Sequence, residues 1–406
     1  MIEAATRIEP CGIEEMIPEA LSDLVVAIRE EAAEIGRGLH PGSVVELRGL
    51  VRIMNAYYSN LIEGHNTRPR DIEAALRGAP VENRPLAQEA AAHVRVQEWI
   101  DGLADGGMLP EPTSVDFIVD IHRRFYAEMP AELRHAEQDG RRVEIVPGAF
   151  RSDEVQVGRH LPPSPPRIAD FMAHYERRYI GLTRGATGRI LAIPAAHHRL
   201  NYIHPFLDGN GRVSRLVSHA MIRRAGIGAG GLWSVSRGLA RGLEDRGDYK
   251  RWMDAADTLR QGDRDGRGNL SMRSLAGFTG WFLTVMLDQI RFTGAMLDLD
   301  RLRPRYLALV RDVTAGDDRV ASLVDHVLRH GALARGDAEL VLRVGERTAR
   351  NSLKAAQEAG FVASSGPKTP VRIAFPIDYR ERLFPNLFSE APVDVPTPPR
   401  PPAASA

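Results

Sequence analysis

The stretch His204-Pro205-Phe206-Leu207-Asp208-Gly209-Asn210-Gly211-Arg212-Val213-Ser214-Arg215 stands at the middle of a 406-residue chain. His204 follows an apolar segment of helical period and precedes Pro205. A proline disfavours helical geometry in the residue before it, so His204 is expected at a helix end or in a loop. Asp208-Gly209-Asn210-Gly211 has tight-turn composition, with glycines that admit positive φ and close backbone approach. A new helix is expected over residues 212–225. Its first N–H groups lack intrahelical partners and favour an anion. Arg212 and Arg215, three positions apart, share a helical face and offer two cationic forks to phosphate oxygens.

This short segment supplies a titratable base, a hard-metal carboxylate, an anion cradle and two arginines, a set suited to phosphoryl-group chemistry. His204 can accept a proton from an attacking hydroxyl. Asp208 can hold Mg2+, which takes a carboxylate or two together with substrate phosphates. The glycine turn and the arginines can stabilise charge developing at phosphorus. Taken singly, the same residues read as a helix-capping histidine, an ordinary turn and solvated arginines. Together they fill every fixed position of His-x-Phe-x-Asp/Glu-Gly-Asn-Gly-Arg-x-x-Arg, and the chain resembles the Fic-domain enzymes that carry this signature.

The resemblance implies a mainly α fold: a helical Fic core with a β-hairpin flap. It implies a protein adenylyltransferase that moves AMP from ATP to a Tyr, Ser or Thr hydroxyl of a target protein. Carried over, His204 is the base and Asp208 the magnesium ligand. Gly209, Asn210 and Gly211 form the anion hole, while Arg212 and Arg215 bind the phosphates. Phe206 is an apolar anchor. His197 matches an upstream histidine of the family, or is simply a hydrogen-bonded helix residue; a His197/His198/His204 metal site lacks a fourth ligand and suitable spacing. Tyr249 resembles a tyrosine placed near the adenine, and equally fits a core aromatic. The flap is expected over residues 142–158, turning at Pro147-Gly148, and the target protein is expected to dock there by strand addition; a plain structural hairpin is the other reading. Relatives that transfer phosphate instead depart from the Gly-Asn-Gly pattern kept here.

A second motif lies upstream. Ser59-Asn60-Leu61-Ile62-Glu63-Gly64 matches Ser/Thr-x-x-x-Glu-Gly/Asn, the family's inhibitory helix, and Ser59 and Glu63 are four apart on one face. The resemblance implies that Glu63 pairs with Arg215, taking the place needed by the γ-phosphate, and in some relatives this glutamate also helps remove AMP.

Outward from these motifs, apolar spacings near three and four predict helices over residues 20–39, 44–62, 85–103, 114–128, 166–180, 188–202 and 271–299. Residues 1–105 read as an N-terminal helical region holding the inhibitory helix at about 44–64, residues 106–260 as the catalytic core, and 261–315 as connecting helices. Over 316–381, three short helices at 320–329, 337–343 and 346–359 precede two strands within 361–375, resembling a winged helix-turn-helix α+β domain. Arg347, Arg350 and Lys354 share a face of its last helix, flanked by Glu346 and Glu358. That face suits DNA phosphates, a docking protein, a homodimer contact or plain solvation. The competing function class is therefore a DNA-binding transcriptional regulator with a secondary or vestigial Fic core. Residues 382–406 are expected to be a disordered, proline-rich tail.

Formal net charge is zero, which removes any global electrostatic case for a nucleic-acid coat or a membrane binder. The single cysteine, Cys11, excludes an intramolecular disulfide framework and fits a reducing cytoplasm. The first residues lack the apolar run of a secretory signal, and no stretch reaches the ~20 apolar residues needed to span a bilayer.

Overall fold

The computed structural model describes residues 3–13, 17–138 and 140–388, and most of them are helical. Helix α1 (Glu19–Glu34) buries Leu21, Val25, Ile28 and Ala32 against the core. It stops short of the expected residue 39 because Gly36 and Gly38 take positive φ. Helix α2 (Pro41–Ile62) starts earlier than expected, with Pro41 in its first turn and His40 Nδ1 accepting from Gly42 N–H at 3.1 Å. Gly64, at φ +86°, lies just past its end. Helix α3 (Pro69–Leu76) was not anticipated. Helix α4 (Arg84–Asp105) buries Ala87, Ala90, Ala91 and Ala92, small side chains that let α2 approach closely.

Helix α5 (Val115–Ala127) is followed by an antiparallel hairpin of β1 (His135–Gln138) and β2 (Arg141–Glu144), with His135 opposite Glu144 and Gln138 opposite Arg141. The hairpin therefore shares only residues 142–144 with the expected 142–158 span. Asp-Gly is the stronger hairpin dipeptide, and Gly140 takes φ +74°. Pro147-Gly148 instead turns the chain onto α5, and Val157 makes one isolated bridge, to His160.

Helices α6 (Ile168–Leu182), α7 (Ala186–Ile203) and α8 (Asn210–Arg224) carry the central segment, with α9 (Ser236–Arg241) and α10 (Asp248–Ala256) beyond it. Helix α11 (Met272–Leu297) buries Leu275, Phe278, Phe282, Met286 and Ile290 at the centre of the molecule. The single helix expected to 299 breaks at Asp298, whose side chain caps α12 (Leu299–Val313) by accepting from Arg301 N–H at 3.1 Å.

The C-terminal part runs α13 (Asp318–His330), β3 (Ala332–Leu333), α14 (Ala338–Leu342), α15 (Glu346–Glu358), β4 (Val362–Ala363), β5 (Val371–Ile373) and α16 (Arg380–Leu383). The sheet order is β3-β5-β4, all antiparallel; the expectation of two strands missed β3, too short to show alternation. The expected disordered tail needs a correction at its start. Leu383, Phe384 and Leu387 are fully buried, and Phe388 packs edge-on against Tyr57 of α2. The proline-rich stretch from 389 lies outside the described residues.

Candidate active site

His204 ends α7 in the left-handed region, at φ 49° and ψ 60°. Arg151, buried, pins it: Nε donates to the His204 carbonyl at 2.8 Å, and the Arg151 N–H to the Pro205 carbonyl at 2.9 Å. Burial, then the Arg151 cation, lowers the His204 pKa to about 4, so the ring is neutral and able to take a proton at physiological pH.

The loop from 204 to 210 is closed by Asn210. Its Oδ1 accepts from Phe206 N–H at 2.9 Å and its Nδ2 donates to the Phe206 carbonyl at 2.8 Å. The Asn210 side chain thus shapes the loop, leaving backbone N–H groups at the α8 start to face an anion. Gly209 precedes that start at φ +82°, and a Cβ there would lie 2.9 Å from Tyr126. Phe206 is fully buried and stacks on His122 at 3.9 Å between centroids.

Helix α5 supplies two residues the sequence reading missed, His122 and Tyr126, four apart on one face. Gly148 N–H donates to His122 Nδ1 at 2.8 Å. Nε2 therefore carries the proton and donates to the Asp208 carbonyl at 3.3 Å. Tyr126 OH donates to Asp208 Oδ2 at 2.6 Å. Their only sequence signal is position on an amphipathic helix, which does not say what the helix packs against.

Asp208 also accepts from Arg212 Nη2 at 2.7 Å. Burial pushes its pKa up, but Arg212 and Tyr126 outweigh this and hold it at about 2. Its side chain is 47% exposed. An ionised carboxylate with an open edge, beside a helix N-terminus, fits the hard-oxygen donor that Mg2+ requires. The other Arg212 fork, Nη1, donates to Glu89 Oε1 of α4, which also lies 3.2 Å from His65 Nδ1. Arg212 is thus held between two carboxylates, Glu89 and Asp208, a partner set no sequence spacing disclosed.

Arg215 is 1% exposed and meets α2. Its Nε donates to Ser59 Oγ at 2.8 Å, and its Nη2 to the Ser59 carbonyl at 3.0 Å and to Glu63 Oε1 at 2.6 Å. Burial raises the Glu63 pKa, yet Arg215 and Arg212 leave it lowered. Gly211 sits beneath this pair: a Cβ there would collide with Glu63 Oε1. Gly64 closes the helix without touching the site.

Tyr249 is buried, with its OH 2.7 Å from His197 Nε2. Ser218 Oγ donates to the Ser214 carbonyl, so it accepts from His197 Nδ1 at 3.0 Å, and Tyr249 is then the donor to Nε2. His197 is a hydrogen-bonded residue between helices, and His198 is held by the Met253 carbonyl at 3.0 Å. Among the described residues the ligand atoms of a three-residue metal grouping come together only at Glu9, Cys11 and His174, where Arg178 already occupies Glu9 at 2.6 Å.

Residues 112–222, which hold His122, Tyr126, His204, Asp208 and both arginines, match the family model for the Fic/DOC family. That segment is similar to a Fic domain. Two curated relatives resemble it: protein adenylyltransferase Fic of Drosophila ananassae is 36% identical over 109 residues, and that of Drosophila melanogaster 37% over 110 residues. These matches take in 27% of this chain but only 19% and 20% of the relatives, so the chain spans about a fifth of their length. The fold extends further. A Fic family protein from Desulfovibrio desulfuricans G20 superposes with a TM-score of 0.52 at 20% identity, over 89% of this chain and 98% of the other. A Fic domain containing signaling protein from Bacteroides thetaiotaomicron gives 0.50 at 18% identity, over 68% of this chain and 96% of the other. Among the described residues, no helix is long and apolar enough to cross a membrane.

Proposed function

We propose that this chain transfers AMP from ATP to a hydroxyl of a target protein, and that Glu63 holds the reaction off at rest. The observation that carries the reading is the 2.6 Å pair between Glu63 and Arg215, set beside a histidine that ends a helix over an anion-binding turn. Neutral His204 takes the proton of the attacking Tyr, Ser or Thr hydroxyl. The new bond joins that oxygen to the α-phosphorus, the bond to the β-phosphate oxygen breaks, and pyrophosphate leaves. The N–H groups at the start of α8 stabilise the charge on the reacting phosphate. Asp208 would hold Mg2+, which supplies counter-charge to the phosphates. With Glu63 in place, Arg215 is unavailable to the γ-phosphate, so ATP binds unproductively or not at all. Glu63 is also the candidate to orient water for removal of AMP.

The target segment is proposed to lie along the chain after the hairpin, where Val146, Val157 and Leu161 are 56%, 44% and 62% exposed. Apolar side chains at such positions mark an interaction surface. The DNA-binding reading draws less support, because Arg350 and Lys354 are paired with Glu346 and Glu358 on their own helix.

The test is mass spectrometry of the Glu63→Gly protein after incubation with ATP and Mg2+. An added AMP on the chain is expected, with little on the parent. Addition of phosphate, or no gain over the parent, would reject the reading.

A further inference from the structure

The Arg212 guanidinium raises an electrostatic difficulty for the site. It lies 2.7 Å from Asp208, the carboxylate read as the magnesium ligand. A cation that close opposes the arrival of a second one. Asp208 and Arg212 alone would present no net charge to a divalent ion. Glu89 changes that balance. Its carboxylate accepts from Arg212 Nη1, and its side chain is 8% exposed, against 5% for Arg212 and 47% for Asp208. The three charges thus form a buried-to-open series in which only Asp208 reaches the site. Two anions flank one cation, and the excess negative charge is expressed at the open end. In a partly buried site such a charge is weakly screened by solvent. Half-exposed His65 is the other group on Glu89 Oε1.

We propose that Glu89 is a positioning residue that neutralises Arg212 and so keeps Asp208 available to a divalent cation. The proposal rests on the reading of Asp208 as the magnesium ligand. Glu89 touches neither nucleotide nor metal in this scheme; it acts through Arg212. Residues that orient or charge-balance a metal ligand commonly change metal affinity by about 10–100-fold.

The experiment uses full-length Glu63→Gly protein, so that Arg215 is free. Its affinity for α,β-methylene-ATP, which cannot release its α-phosphate, is measured by calorimetry with and without Mn2+. Working in alkaline buffer lowers the charge on His65. The readout is the factor by which Mn2+ tightens nucleotide binding. Asp208→Asn is expected to abolish that factor. Glu89→Gln is expected to lower it roughly tenfold or more. Glu89→Gln combined with Arg212→Gln should restore it, because both buried charges leave together.

An unchanged factor in Glu89→Gln, while Asp208→Asn abolishes it, overturns the role of Glu89. An undiminished factor in Asp208→Asn overturns the metal reading, and the proposal falls with it. Should Glu89→Gln fail to fold by circular dichroism, Arg212→Gln is compared with the double variant. A larger factor in Arg212→Gln alone supports the proposal, and equal factors overturn it.

Discussion

His204 is held in a conformation that costs a non-glycine residue roughly 1–2 kcal/mol, and the Arg151 bonds to residues 204 and 205 offset that cost. The backbone at this helix end is thereby fixed. His204→Ala in a Glu63→Gly background should lower the AMP-transfer rate by about 10²–10⁴-fold, the usual worth of a positioned base. With the His204 pKa lowered to about 4, the rate should keep its base until the pH falls toward that value. A pH–rate inflection near the ordinary histidine value would show that burial does not hold the ring neutral. Gly209 has a structural duty instead. Positive φ and the 2.9 Å approach to Tyr126 leave no room for a methyl group, so Gly209→Ala should cost about 1–3 kcal/mol in urea unfolding. An unchanged midpoint would mean that the loop relaxes freely.

Helix α2 is unusual in what it buries. Asn55, Ser59 and Asn60 are each 1% exposed or less, and Asn55 Nδ2 donates to Gln97 Oε1 of α4 at 2.6 Å. Asn55 Oδ1 and both polar atoms of the Asn60 side chain are buried with no hydrogen-bond partner among the described residues, a cost that suits an element that must give way. Glu63 and Ser59 both grip Arg215, but only Glu63 brings charge. Glu63→Gly should therefore raise auto-modification strongly, and Ser59→Ala by a clearly smaller factor, read as labelled AMP incorporated per minute. Equal effects would show that the hydroxyl, rather than the carboxylate, sets the block. Glu63 lies at the C-cap, so its replacement should not alter helical content.

The molecule wraps α2 on two sides. Its inner face meets α4 and α8, while Ser43 Oγ donates to the Leu328 carbonyl of α13 at 3.3 Å and Tyr58 OH to the Leu387 carbonyl at 3.2 Å. Tyr58→Phe should cost about 1 kcal/mol of stability and raise the basal rate modestly; a lowered melting temperature with no change in rate would uncouple the brace from the brake. Stability should also depend on pH through buried histidines. Burial lowers His122 to about 4 and His197 to about 3, and lowers His93 and His198 as well. Between the ordinary value of 6.5 and these folded values the unfolded chain binds more protons, so stability falls as the pH falls. A histidine lowered to about 4 forfeits about 3 kcal/mol by the bottom of that window. His65, raised chiefly by its bond to Glu89, has the opposite sign but stands alone. The melting temperature should drop steadily from pH 6.5 to 4.5, before the lowered carboxylates Asp101 and Asp208, both at about 2, begin to titrate; a flat profile would mean that these rings take up protons as readily in the folded chain as in the unfolded one.

Local chemistry was legible in the amino-acid order. Pro205 placed His204 at a helix end, Gly209 placed the turn, and four-residue spacing put Ser59 and Glu63 on one face, because these features depend on neighbours a turn or less away. The hairpin was misplaced where two turns competed, and the one at Gly140, with φ +74°, prevailed over Pro147-Gly148. Which faces meet was decided only by packing. Glu63 reaches Arg215 across 152 positions, Glu89 reaches Arg212 across 123, and Tyr126 reaches Asp208 across 82. Periodicity says that a helix has a face to bury; the partner is chosen by the shape and charge of every other helix in the core, and that choice exists only once the chain is folded.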